Sequence, residues 1–204
     1  MLTIVNYGMG NLRSVYNAVT HLGQEAKISS DPREIIASDK LILPGVGSFR
    51  RAMENIRTRR LQEPLSEAVL GRKIPVLGIC LGMQLMASYG YEDGGIDGLG
   101  WILGEVVQFE FENSSIRLPH IGFNNVWEAS PSTTLLGNQR DPTDFYFVHS
   151  YHLRCVEPKD VAAWCDYHGH FVAGIERGNV FGTQFHPEKS QANGLRVLSR
   201  FLRV

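Results

Sequence analysis

The stretch Ile74-Pro75-Val76-Leu77-Gly78-Ile79-Cys80-Leu81-Gly82-Met83-Gln84 constrains the fold more than any other part of this chain. An apolar run of strand length leads at once into helix-forming residues, and a cysteine stands at the junction between two glycines. Gly78 and Gly82 flank Cys80 at two residues on either side, the spacing of a nucleophile elbow with sulfur in place of a serine oxygen. Such an elbow pushes one side chain clear of the backbone and needs small neighbours so that strand and helix can touch. A sulfur at the start of a helix is favoured as thiolate by the dipole and the unpaired N–H groups, and the amides that follow can donate to an oxyanion. Gln84 lies one helical turn further on, on the same face.

The flanking segments extend this strand-then-helix pattern. Leu2–Asn6 reads as a strand, Gly8–Gly10 as a turn and Leu12 to about Leu22 as a helix. Leu41-Ile42-Leu43 is a second buried run, expected to stop at Pro44 and at the glycines Gly45 and Gly47. A helical stretch from about Ser48 to Leu70 is expected to break before Pro64. Ile74–Ile79 is the next strand and Leu81–Tyr89 the next helix. Strands alternating with helices imply an α/β fold with an open, mostly parallel sheet flanked by helices. In the second half, Gly104–Glu112, Gly122–Trp127, Phe145–His149, Val161–Tyr167, Phe171–Glu176 and Val180–Phe185 read as strands. His168-Gly169-His170 and Arg177-Gly178-Asn179 look like hairpin turns, so antiparallel strands are added in the C-terminal half. Ala192–Leu202 closes the chain as an amphipathic helix. One domain over 1–204 is the economical organisation.

Bulk properties exclude several function classes. The 204 residues carry 20 Lys plus Arg against 21 Asp plus Glu, a net charge of -1, which argues against a broad nucleic-acid footprint. Cys80, Cys155 and Cys165 are odd in number and widely spaced, unlike a secreted disulfide framework, and no pair has zinc-site spacing, so no metal is expected. The first residues have no basic region and only a brief apolar run. No membrane span or signal peptide is expected, and the expected compartment is the cytoplasm.

A cysteine nucleophile needs a base, and Gly182-Thr183-Gln184-Phe185-His186-Pro187-Glu188-Lys189 offers one. Pro187 disfavours helical dihedrals at His186, so the histidine is expected in extended backbone at a strand end. If Glu188 continues that extension, both side chains project to one side. A carboxylate there can fix the imidazole tautomer and stabilise the imidazolium, while the other ring nitrogen faces the sulfur. Among the histidines, only His186 combines a strand end with an extended-biased neighbouring carboxylate. Contact between Cys80 and His186 is a demand on the fold.

The Gly78–Gln84 elbow together with His186-Pro187-Glu188 resembles the class I (triad-type) glutamine amidotransferases. The segments Asn6–Ser14, Leu43–Phe49, Pro119–Asn124 and Tyr146–Tyr151 are similar to those of its members that pair with a cyclase in histidine biosynthesis, and the resemblance spans essentially the whole chain. It implies a glutaminase in which Cys80 is the nucleophile, His186 the general base and acid, and Glu188 its orienter. It further implies an oxyanion hole from the Leu81 amide and an amide of the Val46-Gly47 turn, and a glutamine site from Gln84 and the backbone around Ser150 and Tyr151. Asn11, Phe123, Tyr146 and Lys189 would face the partner, where ammonia leaves; the family usually has tryptophan where this chain has Phe123. The implied partner is a (β/α)8-barrel cyclase in a heterodimer, and the implied chemistry requires no cofactor. Similar glutaminases that supply ammonia for cell-surface sugar amidation are the alternative.

Three rivals bear on other features. Gly8-Met9-Gly10 begins a dinucleotide-binding fingerprint, but Arg13 stands where its third glycine must be. A cysteine peptidase or thiol esterase would use the same elbow and is set apart only by the additional family segments. A non-catalytic scaffold that activates a partner barrel would not need all three triad residue types.

Overall fold

The computed structural model describes residues 1–111, 116–130, 133–137 and 141–204. Its centre is a nine-stranded sheet built from β1 (Leu2–Val5), β2 (Ala26–Ser29), β3 (Lys40–Gly45), β4 (Val76–Cys80), β8 (His120–Glu128), β9 (Thr143–His149), β11 (Val161–Asp166), β12 (His170–Arg177) and β13 (Val180–Thr183). The spatial order is β2-β1-β3-β4-β13-β12-β11-β8-β9. Pairings from β2 to β13 are parallel, and those from β13 to β9 are antiparallel. β4 is therefore central, paired in parallel with β3 on one side and β13 on the other, with Gly45 opposite Cys80 and Thr183 opposite Ile79. The carboxyl ends of these three strands form the edge where ligands bind in open α/β sheets.

Side-chain alternation fills both faces. Leu41, Leu43 and Val76 point to one side, against Ala52, Met53 and Ile56 of α3 (Phe49–Thr58). Ile42, Leu77 and Ile79 point to the other, against Val15 and Val19 of α1 (Leu12–His21) and Val197, Leu198 and Phe201 of α6 (Gln191–Leu202). Each fully buried Leu, Ile or Phe contributes about 1.5–3 kcal/mol, so these two clusters fix which strands lie side by side.

Several expectations are corrected. Pro44 does not stop its strand: pairing with β1 ends at Ile42, whereas pairing with β4 runs on to Gly45, so the missing N–H falls where one neighbour has already left the ladder. The helix after it does break before Pro64 as expected, at Arg60 with φ 58°, and Pro64 sits in the first turn of α4 (Gln62–Ser66), where its missing N–H forgoes no intrahelical bond. The helix expected over Leu81–Tyr89 is only α5 (Leu81–Gln84). The following backbone is captured instead by residues 98–102, with Leu99 N donating to Leu85 O and Trp101 N to Met86 O.

That capture starts a second sheet the sequence did not announce, with β5 (Ala87–Gly90), β6 (Ile96–Asp97), β7 (Ile102–Gln108) and β10 (Tyr151–Cys155) in the order β10-β7-β5-β6. The strand expected over Gly104–Glu112 belongs here, and its last residue lies outside the described residues. The short β2 and α2 (Pro32–Ile36) also went unread, although Asp31 caps α2 by accepting from Arg33 N at 2.8 Å and Pro32 opens it. Both hairpins form as expected. Among the described residues no helix is long and apolar enough to cross a membrane.

Candidate active site

Cys80 is the last residue of β4 and immediately precedes α5, with φ 53° and ψ -111°. A non-glycine residue in such a conformation costs on the order of 1–3 kcal/mol and persists only where the surroundings impose it. Here they do. A Cβ on Gly78 would lie 2.7 Å from the Gly82 carbonyl and Met83 backbone, and one on Gly82 would overlap the Leu43 carbonyl oxygen. A side chain at Gly45 would run into the Tyr7 hydroxyl and lie 2.8 Å from the Leu81 Cβ. The elbow thus closes against β3 as well as against its own helix. With α5 a single turn long, the local amides rather than an extended dipole are what can act on negative charge here.

His186 follows β13 with φ -97° and ψ 96°, the extended backbone that Pro187 demands. Glu188 does not continue that extension, because Pro187–Lys189 winds as a 3-10 turn. The turn still delivers the contact: His186 Nδ1 lies 2.8 Å from Glu188 Oε1, with both side chains 1% exposed. Burial pulls the His186 pKa down, but the charge of Cys80 and the hydrogen bond and charge of Glu188 together push it up to about 10. Nε2 makes no hydrogen bond of standard geometry, so the sulfur reaches the ring through its charge rather than through a formed bond. With Nδ1 taken by Glu188, Nε2 is the nitrogen left for Cys80. The fold thus brings together all three residues that the sequence singled out.

The loop carrying His186 is tied to β9. His186 N donates to Tyr146 O at 2.9 Å, and Ser190 Oγ accepts from Tyr146 N at 2.9 Å while donating to His186 O at 2.7 Å. Gly194 lets α6 approach, since a Cβ there would overlap the Pro187 carbonyl.

Beside the sulfur opens a cavity of about 510 Å3. It is lined by Cys80 and by every residue expected to hold the oxyanion or the substrate: Val46, Gly47, Leu81, Gln84, Ser150 and Tyr151. Gln84 Nε2 donates to Tyr151 O at 2.8 Å and to Gln184 Oε1 at 3.0 Å, and Gln184 Nε2 approaches the Cys80 sulfur at 3.6 Å. The Gln84 amide nitrogen is thus spent on holding the Tyr151 backbone. Among the described residues Glu92 is the one carboxylate on the wall, with Oε2 accepting from Phe49 N at 2.7 Å.

A second histidine, His149, also lines the cavity. Burial pushes its pKa down to about 3, and both its nitrogens are engaged, Nδ1 with Tyr151 O at 2.8 Å and Nε2 with His120 at 3.1 Å. It has no free lone pair to take a proton from the sulfur, which leaves that part to His186.

Of the residues expected to face a partner, three form a row. The Phe123 and Tyr146 rings meet edge to face with centroids 5.6 Å apart, and Lys189 Nζ sits 5.6 Å from the Tyr146 centroid. Phe123 is 48% exposed, and Lys189 also lines the cavity, so the row joins the site to the surface. Asn11 immediately precedes α1, which packs on the Pro187–Lys189 turn that carries Lys189. Sequence reasoning assigned no role to Glu92, Gln184, His149 and Ser190, although His149 and Gln184 lie inside segments it singled out. Gln184, two residues before His186, was the most accessible of them from spacing.

Comparison with known proteins agrees with this geometry. Residues 3–204 match the family model of glutamine amidotransferase class-I, and the chain belongs to that family. Within it, the chain is 49% identical to an imidazole glycerol phosphate synthase subunit HisH from Rhodopirellula baltica, over 98% of this chain and 96% of that one. It is 43% identical to the HisH subunit from Leptospira interrogans, over 98% of each. In fold it resembles PurLQS from Thermotoga maritima, with TM-score 0.71 at 19% identity, covering 99% of this chain and 97% of that one.

Proposed function

We propose that this chain is the glutaminase subunit of an imidazole glycerol phosphate synthase, hydrolysing glutamine to glutamate and ammonia within one amidotransferase domain. The observation that carries the chemistry is that the Cys80 sulfur lines one cavity together with the Gln84–Tyr151 wall, while its charge acts on the buried His186–Glu188 pair behind it.

In this mechanism the Cys80 thiolate attacks the side-chain carbonyl carbon of glutamine, forming a C–S bond and a tetrahedral oxyanion. The Leu81 amide and an amide of the Val46-Gly47 turn stabilise that oxyanion. The His186 imidazolium gives its proton to the departing nitrogen, the C–N bond breaks, and ammonia leaves a thioester. The neutral imidazole then takes a proton from water, which attacks the thioester carbon; the C–S bond breaks and glutamate is released. Glu188 keeps Nδ1 protonated throughout. Glu92 suits the α-ammonium of glutamine, being the carboxylate on the cavity wall.

Ammonia passes to a (β/α)8-barrel cyclase, docked over the exposed Phe123–Tyr146–Lys189 row. The names of the relatives support the histidine pathway over sugar amidation. Cys80→Ala tests the reading in the complex with its partner. Glutamine-dependent product formation is lost, while formation from supplied ammonium salt persists; unchanged glutamine-dependent output would reduce the chain to an activating scaffold.

A further inference from the structure

Four side chains and one backbone carbonyl form an unbroken line behind the cavity. Asn124 Nδ2 lies 3.3 Å from His120 Nε2, His120 Nδ1 lies 3.1 Å from His149 Nε2, and His149 Nδ1 lies 2.8 Å from the Tyr151 carbonyl oxygen. That same oxygen also accepts from Gln84. A carbonyl can only accept, so His149 must carry its proton on Nδ1. Its Nε2 then holds a lone pair, and His120 must donate to it from its own Nδ1. His120 Nε2 is left as an acceptor, matched by the Asn124 amide, which also donates to Asp166 O at 2.7 Å. Every proton in the line is thereby assigned, and both rings are in the Nδ1–H tautomer.

We propose that His120 is a positioning residue for glutamine binding: through His149 it fixes the Tyr151 carbonyl, and with it the wall of the cavity formed by residues 149–151. This rests on the glutaminase reading above. The two rings are buried and neutral, since His120 and His149 are 3% and 6% exposed and burial pushes their pKa values down to about 4 and about 3. The His120 ring is held between Phe147 and Tyr167, stacked at 4.9 Å and 4.0 Å, so packing alone could explain an aromatic there but not its nitrogens. The neighbour of Asn124 is the exposed Phe123, so the line begins beside an exposed residue and ends at the cavity wall.

Two substitutions separate the relay from packing because they rank in opposite orders. His120→Phe keeps the stacked ring and removes both nitrogens; His120→Asn gives up the ring but keeps an amide N–H where Nδ1 stood. In the complex with its partner, His120→Phe is expected to raise the KM for glutamine about tenfold, the size of a lost neutral hydrogen bond, with kcat little changed. His120→Asn recovers most of that loss. An unchanged KM in His120→Phe, or a larger loss in His120→Asn than in His120→Phe, overturns the proposal. Nitrogen NMR of the unmodified chain gives a readout that does not depend on glutaminase activity: His149 shows the Nδ1–H tautomer, and the Nε2–H tautomer would overturn the relay outright. A complex that hydrolyses no glutamine while showing the Nδ1–H tautomer would sink the glutaminase reading and leave the line itself standing.

Discussion

His186 and Glu188 are separated by a single proline and still meet ring to carboxylate at 2.8 Å, because the backbone turns between them. The pair is almost wholly out of water, and the Ser190 hydroxyl clamps the turn to β9 from both sides of the Tyr146 and His186 peptide groups. The base is thus held by its own loop, and the nucleophile arrives from a different strand.

This arrangement gives stability a defined pH dependence. His186 in the folded chain has its pKa raised from the ordinary 6.5 to about 10. A raised value means that the folded state holds the proton more tightly, so the stabilisation is complete below about 6.5 and is lost as pH climbs to about 10. Cys80→Ala removes the largest upward push, and its melting temperature should fall less between pH 7 and pH 10 than that of the unmodified chain. Thermal unfolding across that range checks this, and parallel curves for the two proteins would contradict it.

Glu188→Gln keeps the shape of the buried pair but removes its charge. The kcat for glutamine hydrolysis is expected to fall roughly 10²-fold, the scale of general acid–base assistance, with KM within about threefold. The basic limb of the pH–rate profile should also move to lower pH, since part of the upward push on His186 is gone. Steady-state kinetics from pH 6 to 10 reads both.

Gly82→Ala tests the elbow as a steric fit. Its Cβ would overlap the Leu43 carbonyl oxygen, which is backbone and cannot rotate away. A loss of about 3 kcal/mol or more is expected, in the class of overpacked core sites. A denaturation midpoint equal to that of the unmodified chain would show that β3 and α5 do not pack as closely as described.

Phe123→Ala addresses the proposed partner surface. The ring is half exposed and rests against Tyr146, so its removal should weaken complex formation by about tenfold or more, as for an aromatic at the centre of an interface. Alkylation of Cys80 in the free chain should proceed at the same rate. Calorimetric titration with the proposed barrel partner and a thiol-labelling assay separate the two effects.

The parallel half of the sheet and the triad were legible because their signals are local. Gly78 and Gly82 mark a turn that no larger residue permits, and Pro187 dictates the backbone of His186. The second sheet was not legible. Leu81–Tyr89 has the composition of a helix, and only the distant segment 98–102, by taking the carbonyls of Leu85, Met86 and Ala87, turns it into a strand. Pro44 misled for a similar reason, since whether a proline ends a strand depends on which neighbours are still pairing. Within the site, Cys80, His186 and Gln84 announced themselves by spacing. His149 and His120 did not, because a buried histidine gains its meaning from partners on other strands.

The placement of β4 between β3 and β13 has a consequence for the chain as it leaves the ribosome. The sulfur is synthesised early, but the strand that carries the imidazole to it is the last of the sheet, and the helix that pins that strand comes later still. The triad is therefore complete only once the last strand of the sheet has paired with β4, so the catalytic constellation depends on the most distant pairing of the parallel half.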